Sequence, residues 1–367
     1  MIWLDATFTQ KFGELPAVTA RAPGRVNIIG EHTDYTGGYV LPVAIPQTTR
    51  VALAPREDGL VRLLSRSFAP VDPETFQLGG EAKRGSWVDY VMGTTAALAA
   101  AGYRIRGFDA VIASNVPIGA GLSSSAALEV ALLRALREAF ALELDDVTLA
   151  KIGRAAETDF VGAPVGIMDQ MAASLADVAT ALFIDTRTLD WTRHPLPPGG
   201  EIVVIDSGIA HDHATGDYAT RRHECERAMA LLGVESFRDV TDPARLDELP
   251  EPLRRRARHV LTENARVLDA VACLRTNDLD RLGALLDASH ASLRDDFEVS
   301  VPEVNRLVEL AQADPDVFGA RMTGGGFGGA IVAFARRGAG RAAAERIVAK
   351  YGPAGRALVP EAAPEVA

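Results

Sequence analysis

At 367 residues, with 48% hydrophobic and 24% charged side chains, the chain reads as an ordinary globular protein long enough for two lobes. A net charge of -11 excludes the basic face that nucleic-acid or anionic-membrane partners require. Cys225 and Cys273 are too few for a disulfide framework or a four-thiolate metal site, no apolar stretch reaches the ~18 residues of a membrane span, and MIWLDATFTQKFG lacks a signal peptide's basic-then-apolar pattern, so the expected compartment is the cytoplasm.

In chain order, GRVNIIGEHTDY at 24–35 comes first. It crowds Arg25, Asn27, Glu31, His32, Asp34 and Tyr35 around two glycines, more polar chemistry than a core strand carries unless something polar must be held. A small hydroxyl-rich ligand meets that demand. A metal site at Glu31, His32 and Asp34 is the competing reading, weakened because no second histidine or cysteine stands at ligand spacing.

TRVALAP at 49–55 and FDAVIASNV at 108–116 predict strands, and WVDYVMGTTAALAAAGY at 87–103 predicts a helix closed by glycine. Trp87 and Tyr90, three apart, are neighbours on a helix face and fit a core stripe. Next, Ser123, Ser124 and Ser125 follow Gly119 and Gly121 and open an amphipathic helix. Leu128, Leu132, Ala135, Leu136 and Ala139 share one face of it, with Arg134, Arg137 and Glu138 opposite. Unpaired N–H groups and the positive dipole end converge at such a start, which makes it an anion site. Capping by a serine is the simpler alternative, and three serines exceed what capping needs.

TRTLDWTRHPLPPGG at 186–200 predicts a lobe boundary, EIVVIDS at 201–207 a buried strand, and residues from about Asp217 to Ala311 a mostly helical stretch. His211, His213, His223 and Cys225 match no common zinc spacing. Gly324, Gly326 and Gly329 satisfy GxGxxG, but they run into the apolar strand AIVAF, whereas a dinucleotide fingerprint opens a helix. A last helix is predicted near GRAAAERIVAK, and VPEAAPEVA reads as a frayed tail. The four lysines, Lys11, Lys83, Lys151 and Lys350, follow no glycine loop of the GxxxxGK[ST] type, so any phosphate must be held by backbone N–H groups, hydroxyls, arginine and metal.

Four segments, GRVNIIGEHTDY, VPIGAGLSSSAALEVALLRAL, GAPVGIMDQMAASL at 162–175 and ARMTGGGFGGAIVAF at 320–334, together resemble the GHMP small-molecule kinases, and within them the galactokinase family. GDYATRRHECE at 216–226 and SLRDDFEVSVPEVN at 292–305 resemble that family too, so the likeness runs from about Arg21 to about Phe334. It implies an α+β, two-lobed GHMP kinase fold: a ribosomal-protein-like N-lobe over 1–190, a ferredoxin-like C-lobe over 191–367 whose last segment packs back on the N-lobe, and an active site in the cleft.

The resemblance also implies a reaction, ATP with magnesium phosphorylating the anomeric hydroxyl of α-D-galactose. The partners would be sugar and ATP, without nucleic acid or membrane, and the expected state is a monomer. A kinase for N-acetylgalactosamine or arabinose, or a galactose-sensing regulator without catalysis, are the alternatives; such regulators depart from the pattern in the serine loop, intact here from Ser123 to Ala127.

Asp169 resembles the catalytic aspartate that accepts or orients the acceptor's proton, and Arg25 the arginine beside it or on the phosphoryl group. Glu31, His32, Asp34, Tyr218, Asp169 and the backbone at Gly166 resemble the sugar contacts. Gly119, Gly121, Leu122, Ser123, Ser124, Ser125 and Ala126 resemble the nucleotide-phosphate loop, with Trp87 and Tyr90 at positions that lie near adenine. Ser125, or else Ser124, and Glu157 resemble the magnesium ligands; by spacing alone Glu157 reads as a helix charge paired with Arg154.

Overall fold

A computed structural model describes residues 2–67, 72–209 and 216–360. The chain forms two compact units, one of Met1–Arg25, Ile45–Pro117 and Ser123–Leu175, the other of Val26–Ala44, Ile118–Leu122 and Ala176–Ala367.

The first unit is a five-stranded sheet clad by helices. Its strands are β1 (Val18–Asn27), β3 (Pro42–Pro55), β4 (Leu60–Ser65), β5 (Glu74–Gln77) and β6 (Phe108–Ser114), in the order β1-β3-β6-β4-β5. Period-two alternation sorts the side chains to two faces. Val51, Leu53, Val61, Leu63, Phe108, Ala110 and Ile112 pack with α2 (Val88–Ala100), α3 (Ser124–Ala139) and α4 (Asp146–Ala155). Ala52, Ala54, Leu64 and Val111 face Leu4 and Phe8 of α1 (Ile2–Phe12). α4 widens into a π-helical turn, Ala156–Val161, and α5 (Met168–Leu175) follows. The burial of α3 is wider than its leucine stripe predicts, taking in Ala126, Ala127, Glu129, Val130, Ala131 and Leu133.

In the second unit, β2 (Tyr39–Val40), β7 (Thr180–Asp185) and β8 (Trp191–Pro195) form a small sheet. The larger sheet holds β9 (Gly200–Asp206), β10 (Val317–Thr323), β11 (Ala330–Arg336) and β12 (Arg356–Val359), all paired antiparallel in the order β10-β11-β9-β12. Helices α6 (Asp217–Leu232), α7 (Leu253–Thr276), α8 (Leu279–Ser292) and α9 (Pro302–Gln312) lie between β9 and β10 in the chain, and α10 (Gly340–Tyr351) between β11 and β12. That is the β-α-β-β-α-β order of a ferredoxin-like fold, with its first connection expanded.

Two expectations change. The stretch 186–200 is not a boundary: it turns β7 into β8 and leads to β9, all inside the second unit, and the division falls at Leu175/Ala176 with earlier segments interleaved. Proline and glycine mark turns, and here the turns join strands of one sheet. The described end of the chain does not return to the first unit either, because β12 pairs with β9; the predicted tail beyond residue 360, like His211 and His213, lies outside the described residues.

Candidate active site

In the first unit the serine turn works through its side chains. Ser123 holds left-handed backbone (φ 59, ψ 47) at the start of α3, and its hydroxyl makes no cap bond. Instead Ser123 Oγ donates to Asp169 Oδ2 at 2.6 Å. Asp169 Oδ1 accepts from Arg25 Nε at 2.8 Å and Nη2 at 2.6 Å. Asp169 stands in the first turn of α5, a quarter exposed, while Arg25 is buried. Gly166 is buried in the segment leading to that turn, and Ser124 is half-buried beside Ser123.

Ser125 Oγ donates to Glu157 Oε1 at 3.0 Å, and Gln170 Nε2 donates to Glu157 Oε2 at 2.8 Å. The same Gln170 nitrogen donates to Glu129 Oε2 at 3.1 Å. Burial, with the charge of Asp169 added, pushes the Glu157 carboxyl up to about 7. Burial and then the charge of Glu157 drive Glu129 well upward too. Glu157 is therefore not the surface charge that spacing suggests; the π turn carries it inward. Neither Glu129 nor Gln170 stands out in the sequence, because each looks like an ordinary helix residue until its partners are known.

Ser125 and Glu157 offer a hydroxyl and a carboxylate, hard oxygen donors of the kind magnesium takes in ones and twos before completing its shell with phosphate and water. Among the described residues no group of three or more His, Cys, Asp or Glu is arranged to hold a metal ion. Trp87 precedes α2 and packs partly buried against the first unit's core, as the stripe reading expected. Tyr90 is pushed up to about 12 by burial and then by the charge of Glu157.

In the second unit the loop joining β1 to β2 carries the acidic segment. Glu31 does not point out to a ligand as expected. Its Oε1 accepts from Thr323 Oγ1 at 3.1 Å and Gly324 N at 2.9 Å, and its Oε2 from Asn27 Nδ2 and Arg321 Nη1, both at 2.6 Å. Four donors fill a carboxylate, and at 2% exposure Glu31 anchors its loop to β10. Arg321, fully buried, also donates to the carbonyls of Asn27 and Ile28.

His32 adopts left-handed backbone (φ 63), with Nε2 3.2 Å from the Gly325 carbonyl and Nδ1 3.0 Å from Tyr35 Oη. Its ring lies 5.3 Å from that of Tyr218 on α6 and 4.6 Å from that of Phe297. Asp34 is half-buried beside this aromatic group. Cys225 is buried and hydrogen-bonded to Tyr35, burial pushing its thiol up to about 12, and His223 is exposed on α6.

The six residues 324–329 form the turn between β10 and β11, which removes the helix that a dinucleotide fingerprint needs. Gly324 (φ 86) leaves room for backbone: a Cβ there would come within 3.0 Å of the Gly121 carbonyl, so the glycine turn packs on residues 120–121 of its own unit. Gly119 and Gly121 both have positive φ, and Leu122 is buried.

Three family models match: the galactokinase galactose-binding signature over residues 6–55, the GHMP kinases N-terminal domain over 89–177 and the GHMP kinases C-terminal domain over 270–354. The chain is 45% identical over 343 residues to a galactokinase of Roseiflexus sp. (strain RS-1), covering 91% of this chain and 87% of that protein. To the galactokinase of Chloroflexus aurantiacus it is 46% identical over 337 residues, covering 90% and 86%. The crystal structure of Lactococcus lactis galactokinase complexed with galactose superposes with a TM-score of 0.91 at 33% identity, covering 96% of each chain. With these matches spanning nearly its full length, the chain belongs to the galactokinase family of GHMP kinases.

Proposed function

We propose that this protein transfers the γ-phosphoryl group of ATP to the anomeric hydroxyl of α-D-galactose, giving galactose 1-phosphate and ADP in the cytoplasm. The observation that carries the reading is the Asp169 carboxylate, held on one oxygen by Arg25 and on the other by the Ser123 hydroxyl, in a chain nearly half identical to galactokinases.

Phosphoryl transfer asks for positioning, for neutralisation of charge, and for a group to take or orient the acceptor's proton. Asp169 fills the last role. Its Oδ2 already accepts a hydroxyl, that of Ser123, and a sugar hydroxyl is the same chemistry. Arg25 fixes the carboxylate's orientation from the other oxygen. The backbone from Gly119 to Ala126 cradles the phosphates through the glycine turn and the unpaired N–H groups at the start of α3, and Trp87 contacts the base. Ser125 and Glu157 hold the magnesium ion that travels with ATP. That ion neutralises phosphate charge.

For the sugar, His32, Asp34, Tyr218 and the Gly166 backbone supply polar contacts. Glu31 acts by holding the loop, since its oxygens are filled from within. A sugar panel assayed with ATP, with the product identified by phosphorus NMR, tests the reading. Preference for N-acetylgalactosamine or arabinose would replace galactose as the substrate, and binding of ATP and galactose without any sugar phosphate would make the protein a sensing regulator.

A further inference from the structure

One face of α7 grips the acidic loop by its backbone. His259, Glu263 and Asn264 recur at helical spacing, so they share that face, and all three are buried. His259 Nε2 is 3.1 Å from the Glu31 carbonyl. Glu263 Oε1 accepts from Gly30 N at 3.0 Å, and Asn264 Oδ1 accepts from Tyr39 N at 2.8 Å. Both ends and the middle of the loop thus hang on one helix.

His259 acts on the loop a second way. Its ring lies 4.6 Å from that of Phe297, whose ring is also 4.6 Å from that of His32. Phe297 is fully buried between the two histidines, on the π-helical turn that ends α8. A carbonyl can only accept, so His259 Nε2 carries the hydrogen that goes to Glu31. Burial pulls the imidazole down to about 4, leaving a neutral ring whose Nδ1 accepts from Ser292 Oγ, 2.9 Å away.

We propose that His259, with Glu263 and Asn264, is a positioning residue of the sugar site: it fixes the Glu31 carbonyl by a hydrogen bond and the His32 ring through Phe297. The inference rests on the sugar-binding role proposed for this loop.

The test compares His259→Leu, which removes the N–H, with His259→Gln, which keeps an N–H donor near the place of Nε2. The expected result is a rise of about tenfold in the galactose KM for His259→Leu, the size of one net hydrogen bond. The ATP KM and kcat stay within about threefold, and His259→Gln recovers most of the loss, as a change confined to sugar positioning requires. A shift of the His32 ring nitrogen resonances in His259→Leu is expected alongside. Equal effects on both substrates, no effect in a variant with wild-type circular dichroism, or no rescue by glutamine overturns the proposal. If His259→Leu does not fold, Asn264→Ala is subjected to the same comparison and must raise the galactose KM selectively. A wild-type protein that does not phosphorylate galactose refutes the substrate assignment instead, and is read before any variant is made.

Discussion

Arg25 and Asp169 meet through two guanidinium nitrogens on a single carboxylate oxygen, Oδ1, leaving Oδ2 to the Ser123 hydroxyl. Oδ1 is thereby committed to holding the side chain still, and Oδ2 is the oxygen able to exchange one hydroxyl for another. Asp169→Asn keeps the shape but places an amide where a proton must go. We expect kcat to fall by about a thousandfold, within the range for a lost general base. Galactose affinity by titration calorimetry should change by less than about threefold, since the group's main contribution is made in the transition state. An active Asn variant contradicts the base assignment.

Ser123 combines a left-handed backbone with a bond to Asp169, and two substitutions separate them. Ser123→Ala loses the bond and keeps the strained backbone; Ser123→Gly loses the bond and relaxes it. Left-handed backbone costs a residue with a Cβ roughly 1–2 kcal/mol. The glycine variant should therefore melt about 2–4 °C above the alanine variant while both lose activity alike. A higher melting point for alanine refutes this account.

Glu157 binds its proton more tightly folded than unfolded, its pKa rising from 4.5 to about 7. Its contribution to stability is full below about 4.5 and is lost as pH climbs through about 7. In metal-free protein, urea denaturation should show a decline of about 3 kcal/mol over that window that is absent in Glu157→Gln. Because a metal needs the ionised carboxylate, the magnesium concentration for half-maximal activity should drop between pH 6 and 8. A half-maximal concentration unchanged by pH would show that Glu157 does not bind the ion.

His259 works with the opposite sign. Burial lowers its pKa from 6.5 to about 4, so the unfolded chain binds a proton that the folded one refuses. Its stabilisation is complete above about 6.5 and disappears as pH falls through about 4. Between those values wild type should lose about 3 kcal/mol more than His259→Gln in denaturant titrations. Parallel curves for the two proteins would mean the ring titrates in the folded state as it does in the unfolded one.

Gly326→Ala should be severe. The added Cβ would stand 2.5 Å from the Val299 carbonyl and 2.6 Å from Val299 Cβ, at φ 86. Backbone cannot retreat from backbone as a flexible side chain can, so we expect a loss of about 3 kcal/mol or more. Thermal melting measures it, and a melting point within about 2 °C of wild type would show that the turn accommodates the methyl group.

Local signals carried the sequence reading a long way. Alternating apolar runs marked β3, β6, β9 and β11, and the glycine-serine turn marked the start of α3, because each depends on neighbours a few residues away. The resemblance located Arg25, Ser125, Glu157 and Asp169, which the structure joins in two hydrogen-bonded groups. What stayed hidden depends on distant pairing. Arg321, Glu263 and His259 lie more than two hundred residues from the loop they hold, and a charged residue on a helix reads as solvated until its partner is known. The same gap misassigned Glu31, whose four donors come partly from β10.

Two helices, ending in Ala156–Val161 and Leu293–Phe297, widen by a single rung. One additional residue turns everything downstream by about 100° around the axis while adding little length. Each widening ends on a group the chemistry uses, Glu157 in one and Phe297 in the other. Deleting one residue from either would rewind the helix to its narrower form and swing that group to another side, so an indel there is a rotation of the machinery rather than a shortening of it.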